Sequence, residues 1–97
     1  MNESMTMSVR IYPVHKEGAI AAFASVQLAD CFGVRYVKVM RGKSGLFVAM
    51  PSRLQRGEYH DVCFPCTKEF KQEFDQAVLA AYEQAMSEKA FGTNPEL

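Results

Sequence analysis

The hydrophobic period of this chain changes once, at Pro65, and that change restricts the fold to strands followed by a helix. Upstream of it, apolar residues alternate. Ile20, Ala22, Ala24, Val26 and Leu28 fall on one side, with Ala21, Phe23, Ser25 and Gln27 on the other, the pattern of a half-buried strand. Val9, Ile11 and Pro13 alternate with Arg10, Tyr12 and Val14 in a shorter first strand. Ala29-Asp30-Cys31 is a hairpin connection to a third strand, in which Phe32, Val34, Tyr36, Lys38 and Met40 alternate with Gly33, Arg35, Val37, Val39 and Arg41. Its β-branched and aromatic content suits a pleated surface. Strict alternation places Arg35 and Lys38 on opposite faces. Gly42-Lys43-Ser44-Gly45 is a turn, 46–50 a short apolar strand ended by Pro51, 52–58 a polar loop, and 59–64 the last strand.

Downstream of Pro65 the apolar residues Phe70, Phe74, Val78, Ala81, Tyr82 and Ala85 recur at three and four residues. That is one stripe of an amphipathic helix of about five turns. Thr67 is its expected N-cap, and Glu69 suits the positive end of its dipole. The expected fold is α+β: an antiparallel meander of about five strands with one long C-terminal helix packed on one face. A single helix leaves the other face, or a sheet edge, to a second subunit or a ligand. At 97 residues there is room for one core. We place a single domain at 8–90, with flexible tails at 1–7 and 91–97.

Charge excludes some functions and leaves others open. Eleven basic residues against eleven acidic ones give no net charge, so coating of nucleic acid by bulk charge is excluded. The distribution is uneven, however. Residues 35–56 carry Arg35, Lys38, Arg41, Lys43, Arg53 and Arg56 with no acidic residue, while the flanking segments are net negative. Such a stretch is either an ordinary solvated face or a phosphate-binding patch, and phosphate contacts would supply affinity without sequence choice. Tyr36 and Tyr59 could stack on bases, although packing is the ordinary role of tyrosine in a strand. The 19–29 run is too short to span a bilayer, and no secretion signal is visible. With an odd count of three cysteines, the expected setting is a reducing cytoplasm with free thiols.

The run Gly45-Leu46-Phe47-Val48-Ala49-Met50-Pro51-Ser52-Arg53 resembles the signature of the bacterial stage V sporulation protein G family of septation regulators. Gly57-Glu58-Tyr59, Asp61 and Pro65 continue that pattern, and so do Asp75-Gln76-Ala77-Val78-Leu79 and Tyr82 in the helix. Val9-Arg10, Glu17-Gly18 and Ala24-Ser25-Val26 match upstream. The resemblance implies a small α+β domain that dimerises by extending its sheet and binds DNA or RNA to regulate gene expression. On that basis Arg53, Arg56, Arg41 and Lys43 are the expected phosphate contacts, the partners are nucleic acid and a second copy, and no membrane, small-molecule substrate or cofactor is expected. The chain departs from the pattern at Ala19, Ala21 and Ala22, where relatives carry basic residues, and at His60 in place of an arginine. Those departures keep open a second reading, a protein-interaction module of the same fold without nucleic-acid binding.

Cys63-Phe64-Pro65-Cys66 supports a third. A C-x-x-C before a helix can lower a thiol pKa, and His60 and Cys31 could join Cys63 and Cys66 as zinc ligands. The plain alternative is that these cysteines fill core positions as small apolar residues. No second C-x-x-C, nucleophile elbow, metalloprotease spacing or phosphate-cradling loop is present, so no enzymatic activity is expected.

Overall fold

The computed structural model describes residues 5–92, with side chains through residue 88. Of the expected tails, 1–4 and 93–97 lie outside the described residues. Strands β1 (Met7–Pro13), β2 (Ile20–Leu28), β3 (Phe32–Gly42) and β4 (Gly45–Ala49) form one antiparallel sheet in the order β1-β2-β3-β4. Strands β5 (Ser52–Gln55) and β6 (Glu58–Asp61) form a separate two-stranded hairpin. Helix α1 (Lys68–Gly92) follows and packs across all four strands of the larger sheet. It is longer than the five turns expected, because nothing after Ala85 breaks it before Gly92.

The core lies between that helix and one face of the sheet. Phe74 and Val78 of α1 rest on Ala21, Ala22, Ala24, Val26, Val34, Val37 and Val39, all buried. Ala21, Ala22 and Ala24 give β2 short side chains on the core side, beneath the helix. The helix starts where the sequence places its cap: the Phe70 backbone N–H donates to Thr67 Oγ1 at 3.1 Å. Lys71 and Asp75, one turn apart, form a 2.7 Å ion pair on the outer surface.

Two bulges correct the simple alternation. The pairing of Ile20 with Met40 and of Ala22 with Val39 leaves Ala21 extra in β2. The pairing of Ala24 with Val37 and of Val26 with Val34 leaves one extra residue in β3. There Tyr36 has a φ of 66°, a rare conformation for a bulky residue. An extra residue reverses the parity of everything after it. Val34, Val37 and Val39 therefore share the core face. Arg35, Tyr36 and Lys38 are brought to the open face together, so Arg35 and Lys38 are not on opposite sides.

The segment 52–58 is not a loop. Gln55 pairs with Glu58 across Arg56 (φ 53°) and Gly57 (φ 81°). Positive φ at both central positions is the two-residue turn that matches strand twist. The last strand accordingly runs over Glu58–Asp61 rather than 59–64, and 62–67 forms the link to the helix.

Removing the Phe74 ring should cost about 3–5 kcal/mol, a large part of the stability of a domain this size. Urea denaturation of Phe74→Ala should show it as a fall in midpoint at unchanged slope. Thr67→Ala should cost about 1 kcal/mol and lower the thermal midpoint by about 4–8 °C. A smaller shift would mean that the cap contributes little to holding the helix start.

Candidate nucleic-acid interface

The four basic residues singled out by the sequence divide into two pairs. Arg41 and Lys43 lie at the β3–β4 turn. Arg53 lies on β5 and Arg56 in the β5–β6 turn. Strand β4 runs between the pairs, a span of roughly 16 Å for five residues, and the chain then continues through Met50-Pro51 into the hairpin.

Arg41 is tied to its own chain. Its Nη1 donates to the Gly18 carbonyl at 2.7 Å and to the Ile20 carbonyl at 3.3 Å, while its backbone N–H donates to the Ala19 carbonyl at 2.7 Å. Its guanidinium thus staples the β1–β2 connection to the end of β3. Lys43 is exposed on the adjoining turn.

The β5–β6 hairpin packs on no other strand or helix among the described residues. Register gives it two unlike faces. Arg53 lies opposite His60 and Gln55 opposite Glu58 on one face, and Leu54 lies opposite Tyr59 on the other. Leu54 and Tyr59 are 59% and 74% exposed. Arg56, at the tip, is exposed. Among the described residues neither Arg53 nor Arg56 is in an ion pair, whereas His60 Nε2 lies 3.6 Å from Glu58 Oε1.

The alanines that depart from the family pattern are now placed. Ala21 and Ala22 are buried under the helix, so they report on core packing rather than on a surface that has lost its charge. Ala19 is exposed beside the Arg41 staple.

The cysteine candidates do not gather. Cys31 is exposed in the β2–β3 turn, Cys63 packs against the core cluster, and Cys66 is exposed with its Sγ 4.0 Å from the Phe64 carbonyl oxygen. His60 is on the hairpin. Among the described residues no three His, Cys, Asp or Glu side chains converge as a metal-ligand group. No helix among them is long and apolar enough to cross a membrane.

Sequence reasoning did not assemble the open face of the sheet. Register sets Tyr12, Phe23, Lys38 and Ala49 in one row across β1–β4, with Arg10 and Ser25 in a neighbouring row. The β3 bulge adds Arg35 and Tyr36 to this surface, where Tyr12, Phe23, Ser25, Arg35 and Tyr36 line a shared cleft. The bulge was the missing element, and only the β2–β3 register reveals it.

Comparison with known proteins places this architecture. The SpoVG family model matches residues 5–84. A protein of Heliobacterium modesticaldum bearing the name "Putative septation protein SpoVG" is 42% identical over 80 residues, covering 81% of this chain and 90% of its own. Proteins of the same name from Anaeromyxobacter sp. strain Fw109-5 and Treponema denticola are 35% and 38% identical, over 84% and 78% of this chain and 84% and 83% of theirs. The matched region takes in the whole sheet, the hairpin and most of the helix, and the chain belongs to the SpoVG family.

Proposed function

We propose that this chain forms a homodimer that binds DNA or RNA and regulates gene expression in septation- or sporulation-type processes. The observation that carries the nucleic-acid part is the hairpin. Among the described residues its strands pack on no other strand or helix, and Arg53 and Arg56 are exposed and without an ion-pair partner. Guanidinium groups so placed suit phosphate oxygens, which they can meet bidentately. Septation is taken from the names that the relatives carry, and sporulation from the sequence resemblance described above.

The dimer part rests on the other face of the same hairpin. A lone two-stranded hairpin is marginal in water, and in this one Leu54 and Tyr59 pair with each other and stay 59% and 74% exposed, with no other strand or helix packed on them among the described residues. A second copy supplies what is missing, because β1 and β4 are both unpaired edges of the larger sheet. Each hairpin would then turn its apolar pair to the partner and Arg53 to the outside.

Sedimentation equilibrium should give twice the 10.9 kDa chain mass. The double substitution Leu54→Glu with Tyr59→Glu should return the monomer with its helical circular dichroism intact. A wild-type monomer at micromolar concentration would remove the dimer from the reading.

Fluorescence anisotropy with labelled duplex DNA and single-stranded RNA should show binding that weakens with salt. Arg53→Ala with Arg56→Ala should reduce the slope of log K against log salt by about 0.7–0.9 for each phosphate no longer neutralised. An unchanged slope would clear the hairpin of phosphate contact.

A further inference from the structure

We propose that the uncovered face of the four-stranded sheet is a stacking platform for single-stranded nucleic acid. This rests on the nucleic-acid reading above and specifies its ligand as unpaired bases rather than a duplex.

The charge of the surface comes first. Strands β1 to β4 contain no aspartate or glutamate. Their cations are Arg10, Arg35, Lys38 and Arg41, and Arg41 is bound to backbone carbonyls. The other three all lie on the open face, and among the described residues none of them is in an ion pair. The hairpin, by contrast, carries Arg53 and Arg56 together with Glu58 and Asp61 and so has no net charge. The helix on the opposite side carries five acidic residues against three lysines. Part of the basic stretch of the sequence, Arg35 and Lys38, thus lies on the open face of the sheet. The unopposed cations are on the sheet, together with Arg10 from outside that stretch.

The aromatic groups come second. Tyr12 is 50% exposed and Tyr36 is 68% exposed, on either side of the half-buried Phe23. All three line one cleft with Arg35, and a second cleft joins Phe23, Arg35, Tyr36 and Lys38. Tyr36 contributes nothing to the core, yet the backbone holds it at a φ of 66°. Strain of that kind is unfavourable, and here its effect is to aim an aromatic ring and an arginine outward together.

Aromatic rings on an open sheet with cations between them accept unpaired bases on their faces and phosphates on the cations, whatever the base sequence. A duplex keeps its bases stacked on one another and offers this surface only its backbone. A second copy is a poor occupant. Twofold pairing of this face on itself would set the patch of Arg10, Arg35 and Lys38 against the same patch of the second copy, which is like-charge contact.

The test uses the full chain and an end-labelled ten-nucleotide RNA, its DNA counterpart and the duplex of the same sequence. Wild type should bind both single strands more tightly than the duplex. With no tryptophan and four tyrosines in the chain, binding should also quench tyrosine emission. Tyr12→Ala and Tyr36→Ala should each weaken single-strand binding about fivefold or more, remove most of the quenching and leave duplex affinity unchanged. Arg35→Glu should weaken all three ligands. Circular dichroism and sedimentation of each variant should match wild type. Full single-strand affinity in Tyr12→Ala/Tyr36→Ala, with loss in Arg53→Ala/Arg56→Ala, would overturn the platform and leave the nucleic-acid reading standing. Conversion of the tyrosine variants to monomers would reassign the face to a second copy. No binding of any of the three ligands by wild type at low salt would overturn both.

Discussion

The packing of Phe74 and Val78 onto the alanine and valine floor of β2 and β3 is the contact on which the rest of the molecule depends. It is the only place where apolar groups are fully withdrawn from water among the described residues, so it supplies the driving force for folding. A single helix can cover one side of a sheet. The four strands therefore acquire an inside and an outside, and each residue on them is assigned to core or surface by its register alone. The bulge at Tyr36 keeps Val34 and Val37 both inside although they are three residues apart. The apolar demand of the core is met by distorting the backbone at its outer neighbour.

The same economy explains the hairpin. Helix α1 packs on all four strands of the large sheet, and among the described residues β5 and β6 pack on none of them. Their exposed pair, Leu54 and Tyr59, faces away from Arg53 and His60 because strands alternate. One short element thus presents an apolar side and a polar side, the arrangement expected of a segment that sits between a protein surface and solvent.

Much of this was legible in the residues. The change of hydrophobic period located the helix, and Thr67 marked its start because capping is local chemistry. Three strands of the large sheet were visible because they are long enough to show alternation, and the fourth because its apolar run is bounded by a turn and Pro51. The hairpin was not, because strands of four residues span only two periods of alternation and its turn is Arg56-Gly57 rather than the usual Asn-Gly or Asp-Gly. The bulges were hidden because an extra residue becomes apparent only against the partner strand. Arg41 looked like a surface cation, and its carbonyl partners lie 21 and 23 residues away. Counting charge along the chain found a basic stretch, but strands and turns distribute neighbouring residues to different sides. The surface that results has to be counted in register rows.

The segregation of charge has a consequence beyond any one contact. A chain with no net charge that keeps cations on its sheet and a surplus of carboxylates on its helix is an electric dipole directed through its thin dimension. In the field of a polyanion such a body turns its sheet forward before it touches, so productive encounters are favoured over random ones. In its own company at low ionic strength it does the reverse of repelling: the back of one molecule attracts the front of the next. With a pI near 6.7 there is little net repulsion to oppose that stacking, and added salt weakens the attraction by screening it.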